Sequence, residues 1–196
     1  MAAEPWPGRD IVLFENGQCP SCQKWFDGAE PTTALICCAT AICRRCLTNC
    51  LRHAQGSDRF ACPLCHGAIV NDPQEARARL AAHVEADSPF ALELLACMHQ
   101  QGQMGFAKDH REAARLFRRA AKLGKPRANV RLGLLKLEGS KGVRQDPDGA
   151  LAAFLSAARA GDVYGQYLAG RVLLDDESDA EGSTRQAIVL WEAAAE

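Results

Sequence analysis

A 37-residue periodicity in the second half of the chain constrains its fold more than any other feature. Ala96, Gly133 and Gly170 recur at that step, and so do Phe117, Phe154 and Trp191. The pairs Ala120–Ala121, Ala157–Ala158 and Ala194–Ala195 keep it, Gly102 and Gly105 return as Gly139 and Gly142, and Asp109 returns as Asp146. A period of this size marks two-helix units stacked into an all-α superhelical solenoid, each unit covering a face its neighbour leaves apolar. The small residue at 96, 133 and 170 lets the partner helix come close. The aromatic at 117, 154 and 191 fills the space between units, and the glycines at 102–105 and 139–142 allow a tight turn. Asp146 followed by Pro147 reads as an N-cap and first helical position. The third unit drifts, with Asp176 and Ser183 where Gly139 and Asp146 would recur.

The stretches "GQMGFAKDHREAARLFRRAAKLG" and "GSKGVRQDPDGALAAFLSAARAG" resemble the Sel-like repeats, relatives of the tetratricopeptide repeats. The resemblance covers residues 88–196, as units 88–124, 125–161 and an incomplete 162–196. It implies a right-handed stack of antiparallel helix pairs that serves as a protein-binding scaffold, with no chemistry of its own and a protein ligand that the sequence does not identify. Ahead of the repeats, residues 71–87 predict a linker helix. Asp72 is its N-cap, Pro73 its first position and Glu75 its capping-box partner, and Ala76, Leu80 and Val84 form one apolar stripe.

The first half has a different grammar. Nine of the ten cysteines lie between Cys19 and Cys65. Their order is Cys19-x2-Cys22, Cys38, Cys43-x2-Cys46 and Cys62-x2-Cys65, with Cys37 beside Cys38 and Cys50 one helical turn beyond Cys46. Paired C-x2-C knuckles without a secretion signal point to metal rather than disulfides. A closed structural zinc site wants four thiolate or imidazole ligands in a tetrahedron. Three knuckles and Cys38 supply seven, one fewer than two sites need. Cys97, in an apolar helical pattern, reads as a small buried side chain.

"CRRCLTNCL" and "CPLC" resemble the later knuckles of a RING finger, over residues 19–65. The resemblance implies a small α+β domain, here residues 17–70 after a tail of residues 1–16, with interleaved ligation of two Zn2+ ions. Cys19, Cys22, Cys43 and Cys46 would hold one ion; Cys38, Cys62 and Cys65 would hold the other with one more ligand. Thr40 stands in the slot where the family commonly carries histidine, and a neutral hydroxyl is a poor zinc ligand. The eighth ligand is sought among Cys37, Cys50, His53 and His66. Cys37 is favoured because thiolate suits zinc best; a degenerate second site is the competing reading.

The RING resemblance further implies a surface, formed here by Pro20, Leu47, Pro63 and Leu64, that docks a ubiquitin-conjugating enzyme, with no covalent catalytic residue. Pro20 and His66 depart from the aliphatic and arginine usual at their positions. The expected function is a ubiquitin-ligase-like adaptor, and the alternative a zinc-stabilised interaction scaffold without ligase activity. Nucleic-acid binding is disfavoured: five basic and three acidic side chains between Gly17 and Val70 make a weak phosphate-tracking surface. The whole chain carries a formal charge of −1, and its longest uncharged apolar stretch, Pro31 to Cys43, is too short to span a bilayer. A cytoplasmic protein free of membrane follows as the expectation.

Overall fold

The computed structural model describes residues 19–23, 32–53, 61–67, 72–175 and 180–195. The tail at residues 1–16 lies outside them. The chain divides into two compact units, residues 1–108 and 109–196, so the division falls between the two helices of the first repeat.

The first unit begins with the Cys19–Cys22 knuckle and a hairpin. Strands β1 (Thr32–Leu35) and β2 (Thr40–Cys43) pair antiparallel, with Leu35 opposite Thr40 and Thr32 opposite Cys43. Helix α1 (Arg44–His53) follows β2 directly. Buried Leu35, Ile42, Cys19, Cys43 and Cys62 form a small core here, with Leu47 and Leu64 packed against it. An apolar core of this size is marginal alone. Helix α2 (Pro73–Glu85) starts where the sequence signals: the Asp72 carboxylate accepts the Glu75 N–H at 2.8 Å. Ala76 and Leu80 are its buried stripe, and α2 packs on α3 (Pro89–Gln101). Ser88 caps α3, which ends at Gly102 in the left-handed region.

The second unit is helical throughout its described residues, with α4 (His110–Lys122), α5 (Pro126–Glu138), α6 (Pro147–Arg159), α7 (Val163–Leu174) and α8 (Ala180–Ala195) packed in sequence order. Aspartates set three of the helix starts. Asp109 accepts from the Arg111 and Glu112 amides, Asp146 from Gly149 and Asp162 from Gly165. The N-caps of α3, α5 and α7 are Ser88, Lys125 and Asp162, spaced by the repeat period, although Lys125 provides no side-chain cap. Gly139 closes α5 at φ 65°, a left-handed conformation that glycine adopts without penalty.

The small-residue and aromatic positions of the second and third repeats meet. A Cβ built on Gly133 would lie 2.5 Å from Phe154 Cε1, and one on Gly170 would overlap the indole of Trp191. Phe154 is fully buried and also clusters with Leu168 and Ala169 of the following helix. One ring therefore ties α6 both to its own repeat and to the next. The drift of the third unit has a structural outcome. Ser183 lies buried inside α8, which begins at Ala180, one turn earlier than Pro147 predicts for the equivalent helix. With no Asp–Pro pair to fix the start, the helix extends toward its N-terminus. Asp176 falls outside the described residues.

Candidate metal centre

Two knuckles share a sequence and a shape. Cys19-Pro-Ser-Cys22 and Cys62-Pro-Leu-Cys65 each turn back so that the next amide bonds the first carbonyl. Gln23 N–H donates to Cys19 at 2.7 Å and His66 N–H to Cys62 at 2.9 Å. Gln23 and His66 sit at φ 58° and 56°, the left-handed residue that closes each turn. The Cys62 knuckle is locked further by Cys62 N–H donating to the Gly67 carbonyl. The third knuckle opens α1. Cys46 N–H points at Cys43 Sγ at 3.4 Å, where a helix N-terminus favours negative charge.

These turns gather eight thiols into two groups. Cys19, Cys22, Cys43 and Cys46 form one; Cys37, Cys38, Cys62 and Cys65 form the other, and within each the sulfurs lie within 4.8 Å of one another. Tetrahedral zinc with bonds of about 2.3 Å requires sulfur–sulfur edges of about 3.8 Å. Cys22 and Cys43 are 3.9 Å apart, and Cys38 and Cys62 3.8 Å. Both groups can therefore take a metal ion of this size with little rearrangement. The groups alternate along the chain, so the first brackets the hairpin and the second brackets α1.

The hairpin explains how Cys37 reaches the second group. Residues 36–39 are the whole loop between β1 and β2, and Ala39 turns the chain at φ 46°. Cys37 and Cys38 both lie on that loop. Thr40, already on β2 opposite Leu35, is a ladder residue. Among the other residues considered for this site, Cys50 and His66 lie outside both groups, and the side chain of His53 lies outside the described residues.

The thiols are electrostatically set for a cation. Burial pushes Cys37 up to about 12, reinforced by its neighbours Cys62 and Cys65. Burial likewise raises Cys38, with repulsion from Cys37 and Cys62. Cys43 is pushed up to about 12, chiefly by burial. Burial opposes ionisation of Cys19 as well, but the N–H groups of Cys43, Cys22 and Ser21 outweigh it and hold the thiol down at about 6. Burial thus holds Cys37, Cys38 and Cys43 protonated, a cost that a bound divalent cation would relieve.

Of the residues considered for partner docking, Pro20 is exposed, whereas Leu47, Pro63 and Leu64 are half-buried. A link that sequence reasoning missed lies behind the second group. His83 on α2 places Nε2 3.4 Å from the Cys37 carbonyl, across 46 residues of sequence. Its position on a helical pattern gave no signal of that contact.

The helices carry the family evidence. A model of the Sel1 repeat matches residues 89–125, 126–162 and 163–196, more than half of the chain. The chain belongs to the Sel1-repeat family. Among solved structures it is similar to a Sel1 repeat protein from Oxalobacter formigenes, at 27% identity and a TM-score of 0.56, covering 66% of this chain and 51% of that one. It is also similar in fold to c5321, a protective antigen of uropathogenic Escherichia coli strains with an SLR fold. There the identity is 23% and the TM-score 0.57, over 66% of this chain and 27% of that one. The chain thus spans about half or less of the length of these relatives. No curated protein matches it significantly. No helix among the described residues is long and apolar enough to cross a membrane.

Proposed function

We propose that this chain is a zinc-held protein-interaction scaffold, in which a two-ion finger is joined to Sel1 repeats that recruit a protein. The observation that carries the reading is the alternation of two four-thiol groups along residues 19–65. Four sulfurs at tetrahedral spacing, with no hard oxygen donor in either group, suit Zn2+ rather than Ca2+ or Mg2+. The ligands are Cys19, Cys22, Cys43 and Cys46 for one ion, and Cys37, Cys38, Cys62 and Cys65 for the other. The ions would do no chemistry; they would cross-link segments whose apolar core is small. Chelation followed by circular dichroism and limited proteolysis tests this. Residues 17–70 should become protease-sensitive on metal removal while the repeat helices persist; a finger equally resistant without metal would refute it.

The alternation of the groups also favours a second reading, since it is the ligation that the RING resemblance implies. In that reading Pro20, Leu47, Pro63 and Leu64 contact a ubiquitin-conjugating enzyme, and the finger accelerates ubiquitin transfer by positioning alone. Discharge of charged conjugating enzymes tests it. Transfer lost with Cys43→Ser and weakened by Leu64→Ala would support ligase activity. No discharge across a broad panel, with both ions bound, leaves the scaffold alone.

A further inference from the structure

The repeat register runs further back than the family match, which begins at residue 89. Helix α2 spans Pro73–Glu85, α4 His110–Lys122 and α6 Pro147–Arg159, so both ends of α2 lie one repeat period before those of α4. Asp72, Asp109 and Asp146 cap the three helices through their carboxylates. At the other end Asp87, Gly124 and Gly161 turn the chain at φ 55°, 86° and 79°. Their amides donate to the carbonyls of Val84, Ala121 and Ala158, and the next amides, of Ser88, Lys125 and Asp162, reach back to His83, Ala120 and Ala157. The buried positions agree as well. Ala76 matches Ala113 and Ala150, and Leu80 matches Phe117 and Phe154, none more than 1% exposed. Helix α2 is therefore built as the second helix of a repeat, and it packs on α3 as α6 packs on α7.

The first helix of that repeat is missing. One period before α3 lie residues 52–64, and their described residues 61–64 belong to the Cys62 turn rather than to a helix end. In the complete second repeat, Ala157 stands in a core cluster that it shares with Val130 of the first helix, α5. On α2 that position is His83, half-buried, with Nε2 3.4 Å from the Cys37 carbonyl. Cys37 belongs to the second thiol group and lies on the loop of residues 36–39 between β1 and β2. We propose that this loop stands in for the missing helix, docking on α2 through His83, so that an ion in the second group stabilises the α2–α3 pair that opens the repeats. A carbonyl on a loose loop offers the imidazole little, because ordering the loop costs more than one hydrogen bond returns. Ligation of Cys37 and Cys38 orders it. An ion that binds the ordered loop in preference to the loose one shifts the balance toward docking, and docking in turn favours the ion.

The inference rests on the reading of the two thiol groups as zinc sites. The test is hydrogen exchange of the zinc-loaded full chain followed by mass spectrometry, with zinc counted by native mass spectrometry on each variant. Cys37→Ser removes a ligand but keeps the carbonyl that His83 meets. It should speed exchange of the α2 amides about fivefold, the worth of one hydrogen bond. His83→Ala should keep two ions and speed the same amides to a similar extent, although alanine is the better helix former. Combined, the two changes should add little to either alone, since both break one link. Amides of α6 should be unmoved. The proposal is overturned if Cys37→Ser leaves α2 exchange unchanged, if the two effects multiply, or if α6 responds as strongly as α2. Two ions in the parent and one in Cys37→Ser beside any of those results would remove the coupling and leave the zinc sites standing. No ion in the parent would remove both.

Discussion

Replacing Gly133 with alanine sets two opposing terms against each other at a known geometry. Alanine in a helix interior is favoured over glycine by about 1 kcal/mol. The added Cβ, however, would stand 2.5, 2.8 and 2.9 Å from Cε1, Cδ1 and Cζ of Phe154, where carbon atoms settle at about 3.5–4.0 Å. The ring cannot move outward, because it is fully buried among Val130, Ala150, Ala157, Leu168 and Ala169. Overpacking of this kind costs about 1–3 kcal/mol. Net destabilisation should be about 1 kcal/mol, lowering the thermal midpoint by about 4–8 °C for a unit of this size. A smaller partner should absorb the methyl, so Phe154→Leu and Gly133→Ala together should cost at least about 0.5 kcal/mol less than their sum. Urea denaturation followed by circular dichroism at 222 nm gives all three values. A Gly133→Ala protein as stable as the parent, with additive behaviour in the double mutant, would refute the account of how the repeats interlock.

Other consequences follow from the same geometry. Asp162→Ala removes a buried cap that holds the Gly165 amide at 2.7 Å and should cost about 2 kcal/mol, the upper end for caps; Asp162→Asn should recover much of it in the same melts. His66→Gly should retain two metal ions per chain, since His66 lies outside both thiol groups and its φ of 56° suits glycine; loss of one ion would make it a ligand. Metal affinity should rise with pH between about 6 and 8. Cys37 and Cys43, held up at about 12, and Cys38 and Cys46, also raised, must lose protons to bind, whereas Cys19, held at about 6, is largely ionised above that pH. Each ion should therefore displace at least two protons at neutral pH, measurable by calorimetry in buffers of different ionisation enthalpy; release of none would contradict it.

The repeats were legible because each recurring residue answers a local steric need that the sequence states directly. Gly133 must admit Phe154, and Asp109 and Asp146 must cap α4 and α6, so spacing alone reveals the register. The start of α8 was not legible. No Asp–Pro pair marks it, and Ser183, standing where the cap would recur, is buried inside the helix. In the finger, the C-x2-C knuckles announce their own turns, but the meeting of Cys37 with Cys62 and Cys65 depends on a four-residue hairpin loop. That loop is set by strand pairing and by Ala39 in a left-handed conformation that alanine does not advertise.

The most direct test of the central claim is the zinc content of the chain and of two single-cysteine variants, by native mass spectrometry after exposure to a competing chelator. The account predicts two ions for the parent chain, two for Cys50→Ser and one for Cys37→Ser. No bound zinc in the parent, or two ions held as tightly by Cys37→Ser as by the parent, would contradict it.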